Sequence, residues 1–142
     1  MVLRRPSVRY VASVKSLVRF VTVAAVALIF WQAVTVILGA SEPWDSPDYL
    51  AWYVASLGAS AFFGYAFDRH AWRWGVIIVF AQLPVLLFHS GAGNLLLAGL
   101  VYLSVLALPA AIVAVGAASL KKLRQRESSA ALAMGRNRRA GR

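Results

Sequence analysis

Charged residues cut the chain into three long uncharged runs. There are 22 residues between Arg19 and Glu42, 19 between Asp48 and Asp68, and 47 between Arg73 and Lys121. A hydrocarbon core of roughly 30 Å takes about 20 helical residues at about 1.5 Å each. The first two runs therefore suit one span each. The third suits two spans, with a turn at His89-Ser90-Gly91-Ala92-Gly93-Asn94, its Gly/Ser/Asn cluster. The pattern predicts four helices, near residues 17–39, 48–67, 72–89 and 95–120. Ser46-Pro47-Asp48 reads as an N-cap, a proline at the first helical position and an acid in the first turn of the second helix. Asp68 can cap the third helix and Asn94 the fourth. Lys121, Lys122 and Arg124 suit the C-terminal end of the fourth, where cations oppose the macrodipole.

Composition strengthens this reading. The chain has 142 residues, 61% of them hydrophobic and 14% charged, with a mean hydropathy of +0.69. A soluble domain carries about 25% charged residues. The expectation is an all-α integral membrane protein, a four-transmembrane-helix bundle occupying residues 1–126, with a basic, mobile cytoplasmic tail over 127–142. A cleaved signal peptide competes for the first helix, with Leu38-Gly39-Ala40 as a loose cleavage site. Its apolar run of about 20 residues exceeds the usual signal core of 7–15 and favours an uncleaved span.

Net charge is +10, from fifteen Lys and Arg against five Asp and Glu. In a soluble protein this excess points to nucleic acid. Here the location of the charges changes its meaning. With four spans, all fifteen basic residues fall on one side: both tails and the turn between the second and third helices. The other side carries Glu42, Asp45 and Asp48. The positive-inside rule then places both termini in the cytoplasm, and no nucleic acid is expected as a partner. An odd number of spans would separate the two basic tails. Trp31, Trp44, Tyr49, Trp52 and Tyr53 are expected to mark the outer interface, and Trp72 and Trp74 the inner one. Between residues 8 and 19, Tyr10, Val11, Val14, Leu17 and Val18 share one helical arc. This predicts a short interfacial N-terminal helix leading into the first span. Arg9, Lys15, Arg19, Lys121, Lys122 and Arg124 are the expected contacts to anionic lipid headgroups.

Candidate chemistry is sparse. Cysteine is absent, which removes disulfides, thiolate metal sites and a Cys nucleophile. No Asp, Glu, Lys or Arg lies inside a predicted span, whereas proton- and ion-coupled carriers bind their ions at such groups. The outer acids Glu42, Asp45 and Asp48 read as a solvated anionic face rather than a metal site. Asp68-Arg69-His70 reads as capping and lipid-facing charge, with no nucleophile beside it. His89 reads as an interfacial polar residue. No catalytic, cofactor-binding or metal-ligating residue is expected.

Two features remain. Small residues recur four apart on the second helix as Ser56, Ser60 and Gly64 and as Ala51, Ala55 and Ala59. Such faces let helix backbones approach closely, within one bundle or against a partner. Gln82 sits near the middle of the third helix beside Pro84, which removes a backbone bond to residue 80. Pro109 is expected to bend the fourth helix. A polar group beside a kink can line a substrate path or bond to a neighbouring helix. The expected function is that of a small, non-catalytic accessory or assembly subunit of a bacterial-type inner membrane. Its partner would be a larger membrane protein or its own copies. The alternative is an oligomeric small-solute transporter or pore, including a holin-like one, with Gln82, Ser56, Ser60 and Ser104 along the route.

Overall fold

The computed structural model describes residues 8–39, 46–67, 69–90 and 95–140. Every element among them is helical: α1 (Val8–Leu38), α2 (Tyr49–Ala66), α3 (Trp72–Phe80), α4 (Gln82–Ser90) and α5 (Leu95–Ala140). Three stretches are long and apolar enough to cross a membrane: Ser13–Leu38, Trp72–His89 and Leu96–Ala130.

α1 is one uninterrupted rod of 31 residues. The expected separate interfacial helix over 8–19 is therefore corrected: that segment is the first part of α1. No glycine or proline lies between Val8 and Leu38 to break the backbone ladder. The rod stops at Gly39, whose φ of +62° is left-handed. Its N–H donates to the Thr35 carbonyl at 3.0 Å, as a C-terminal glycine does.

α2 begins at Tyr49, slightly later than expected. Ser46 still acts as a weak cap, its hydroxyl accepting the Asp48 N–H at 3.4 Å. The N-cap position of α3 is Ala71, with no side-chain cap, so Asp68 does not hold that position. Asp68 and Asn94 themselves lie outside the described residues, as do Glu42, Trp44 and Asp45. His70, at φ 54°, makes the sharp turn between α2 and α3.

The expected kink at Pro84 appears as a break. α3 ends at Phe80 and α4 starts at Gln82, with Ala81 between them. Proline has no N–H to give the carbonyl four residues back, which here belongs to Phe80. α5, by contrast, is assigned as helix straight through Pro109 and on to Ala140, 46 residues in all. No helix boundary falls near residue 126.

Side-chain contacts give the helix directions. Trp31 meets Ile78 and Gln32 meets His89, while Lys15 and Arg19 share a cavity with Arg69 and Arg73. α1 and α3–α4 thus run in the same direction. Tyr53 meets Leu106 and Ala66 meets Lys121, so α2 and α5 are parallel to each other. Trp31 also stacks on Tyr49, so α1 and α2 are antiparallel. The described basic residues accordingly gather at one end of the packed helices.

α5 lies against both α2 and α3. Gly64 and Gly75 make this possible. A Cβ on Gly64 would lie 2.7 Å from the Ala114 Cα, and one on Gly75 would lie 2.7 Å from the Ala111 nitrogen. The alanines facing them, Ala107, Ala110, Ala114 and Ala118, are all buried. In lipid, where apolar burial gives helices no net reason to associate, close backbone contact of this kind supplies the attraction.

Candidate functional site

The interior polar groups form a connected cluster where α1, α2 and the α3–α4 break meet. Trp31 is fully buried, and its indole N–H donates to the Ile78 carbonyl at 2.8 Å. Tyr53 donates its hydroxyl to the Leu106 carbonyl at 2.8 Å. The two acceptors lie on the backbone of α3 and α5, a few residues before Pro84 and Pro109. Tyr49 stacks on Trp31 and Tyr53 and donates to the Gln82 Oε1 at 3.3 Å. Its other hydroxyl neighbour is Tyr102.

The Gln82 side chain is buried, and its Nε2 has no hydrogen-bond partner among the described residues. A buried amide left half-satisfied costs about 1–3 kcal/mol, whereas an apolar replacement of similar shape can be neutral. Gln82→Leu is therefore expected to change stability by no more than about 1 kcal/mol, measured by thermal unfolding in detergent micelles. A loss above about 3 kcal/mol would mean that the amide holds the cluster together.

The remaining interior hydroxyls are turned away from any path. Thr35 donates to the Trp31 carbonyl, Ser56 to Tyr53 and Ser60 to Ser56, at 3.0, 2.7 and 2.8 Å. Ser104 is exposed and donates to Leu100 at 2.7 Å. Each bonds its own helix and presents little polarity to a neighbour. On the outer surface between α1 and α4 lies a groove of about 700 Å³, walled by Ile29, Val36, Pro84 and Phe88 with Gln32 as its polar member. Gln32 Nε2 reaches His89 Nε2 at 3.5 Å, while His89 Nδ1 lies 3.0 Å from the Val85 carbonyl. That geometry suits a proton on Nδ1 and a lone pair on Nε2.

The two small-residue faces of α2 divide sharply. Ser56, Ser60 and Gly64 are buried, Gly64 against α5. Ala51 and Ala55 are exposed and Ala59 is half-buried. Gly58 lies on the same outward side, with nothing within 4 Å of its Cβ position.

Several of the aromatic residues expected at the interfaces pack against neighbouring helices. Trp31, Tyr49, Tyr53 and Trp74 are buried and Trp52 is half-buried; among the described tryptophans only Trp72 is largely exposed, at 48%. Trp74 donates its indole N–H to the Phe67 carbonyl at 2.8 Å, closing the C-terminal end of α2. Periodicity alone could not show this, because an amphipathic ring suits a buried bond to an orphan carbonyl as well as it suits a headgroup.

Of the basic residues expected at the lipid surface, Lys121 turns inward. Its ammonium lies 3.4 Å from the Ala66 carbonyl and 5.8 Å from the Tyr65 ring centre. Lys15, Arg19, Lys122 and Arg124 are exposed, Arg19 with its guanidinium 5.3 Å from the Phe67 ring centre. The Arg9 side chain lies outside the described residues. Among the described residues no three His, Cys, Asp or Glu gather as a metal site would require. The chain matches no family model, and no curated protein or solved structure is similar to it.

Proposed function

We propose that the chain is a multi-pass protein of a bacterial-type inner membrane that packs, without catalysis of its own, against a larger membrane protein. Helix direction and charge support four crossings with both termini in the cytoplasm. α1 and α3–α4 point the same way and both are long and apolar enough to span. If both cross, the chain must return between them. α2 is the helix in that interval, and its 18 residues extend about 27 Å at 1.5 Å each. The basic end of the helices then faces the cytoplasm. Reporter fusions at residue 142 and near residue 45 are expected to read inside and outside, respectively. A C-terminus read outside would end the four-span topology.

The observation that carries the accessory role is the outward face of α2. Ala51, Ala55 and Gly58 present bare backbone between exposed Leu50, Val54 and Phe62. Small-residue stripes suit helix-to-helix contact, and the chain's own helices use the opposite stripe instead. A transport route has weaker support, because the interior hydroxyls are bonded to their own helices. Purification in mild detergent is expected to retain a larger membrane protein in fixed stoichiometry. Ala55→Leu with Gly58→Leu is expected to release it while the chain itself stays folded. Recovery as a homo-oligomer alone would favour the pore reading.

A further inference from the structure

We propose that the cleft between α1 and α3 at the basic end is a specific site for one anionic phospholipid. The cleft has a volume of about 770 Å³ and holds four cations: Lys15 and Arg19 from α1, Arg69 from the turn and Arg73 from α3. Residues far apart in sequence thus meet in one place, which distinguishes the cleft from the scattered basic positions along the distal part of α5. The lining of the cleft contains no carboxylate among the described residues.

The other walls fit the rest of a lipid. Phe20, Val76 and Ile77 form an apolar side leading away from the charges along both helices. That is the path of an acyl chain whose phosphate sits among the cations. Trp72 is half-exposed at the rim, with the Arg73 guanidinium 5.6 Å from its ring centre. An indole at that depth belongs at the headgroup level. Basic pockets between membrane helices recognise phosphate headgroups because several cations share one diphosphate or phosphodiester without competing water. α3 adds to this, since its first turn opens at the cleft with Ala71 at the cap position and no side-chain oxygen bonded there. The helix dipole supplies further positive potential.

This site rests on the membrane placement proposed above and is independent of the accessory role. Lipid binding by the isolated chain therefore tests it separately from partner capture and from topology. The full-length chain, purified and stripped of lipid in detergent, is titrated with phosphatidylglycerol, phosphatidylcholine or inorganic phosphate and examined by native mass spectrometry. One phosphatidylglycerol is expected to bind at least tenfold more tightly than phosphatidylcholine. Arg19→Gln with Arg73→Gln is expected to lower that affinity at least tenfold. Arg126→Gln with Arg138→Gln, which removes the same charge from the distal part of α5, is expected to change it less than twofold. Should the first pair fail to fold, Lys15→Gln with Arg69→Gln makes the same measurement. Equal loss in cleft and control variants would reduce the effect to general charge attraction and overturn the site. Displacement of the lipid by inorganic phosphate at equal concentration would assign the cleft to a free anion and overturn it as well.

Discussion

Gly75→Val is expected to destabilise the protein by about 3 kcal/mol, roughly a hundredfold in the folded-to-unfolded ratio. The reason is the identity of what the new side chain would meet. A Cβ at Gly75 overlaps the Ala110 carbonyl and lies 2.7 Å from the Ala111 nitrogen. These are backbone atoms, so no rotamer change relieves the clash. α5 cannot retreat as a rod, because the Tyr53 hydroxyl holds the Leu106 carbonyl and Lys121 holds the end of α2. Gly64 keeps α2 equally close on a neighbouring turn. Either α3 separates from α5 or α5 bends, and both expose the break at Ala81. Gly58→Val supplies the control. Nothing stands within 4 Å of that position, and the change is expected to cost less than about 1 kcal/mol. Thermal unfolding in micelles compares the two. Equal tolerance at Gly75 and Gly58 would mean that α3 and α5 do not pack as described.

Trp31→Ala carries the second large effect, a loss of about 3–5 kcal/mol. Trp31 has no exposed surface, and its ring touches Phe30 and Tyr49 at 5.0 and 6.2 Å between centres. Its removal leaves a cavity and also takes the indole bond from the Ile78 carbonyl. Trp31→Phe separates the two contributions. It keeps most of the volume and deletes the N–H, so the expected cost is about 1–2 kcal/mol. The difference between the two variants then measures packing. If alanine costs no more than phenylalanine, the ring is not part of the core and the contact between α1 and α3 is wrong.

Much of the architecture was legible in the pattern of charges. A run without charge, about 20 residues long, can only be a helix if it lies in lipid, since every backbone group must then bond within the segment. The stop at Gly39 and the break at Pro84 were legible for equally local reasons. Glycine admits a left-handed φ, and proline lacks a donor. The extent of α1 was less legible. An amphipathic arc over 8–19 looks the same whether it ends in a hinge or continues, and only the absence of a breaker tells them apart. The candidate site was legible in residue type but not in placement. Gln82 and Pro84 stood out as a polar group beside a kink. Nothing in their spacing reveals that Tyr49 reaches Gln82, or that Trp31 reaches Ile78 across 47 positions.

What the sequence determined by itself is therefore whatever depends on one segment and its solvent: helical state, the long apolar stretches, and the interruptions at Gly39 and Pro84. The tertiary structure decided everything that depends on which face meets which. It assigned Ser56, Ser60 and Gly64 to α5 and left Ala51 and Ala55 outward. It buried Trp31 and Trp74 where an interfacial role was equally consistent with their chemistry. It also drew Lys15, Arg19, Arg69 and Arg73 into one cleft. The physical reason is that a small-residue stripe or an indole ring carries the same local energy on either side of a helix. The choice is made by the shape of the neighbour, through close packing and the backbone carbonyls within reach, such as those at the end of α2.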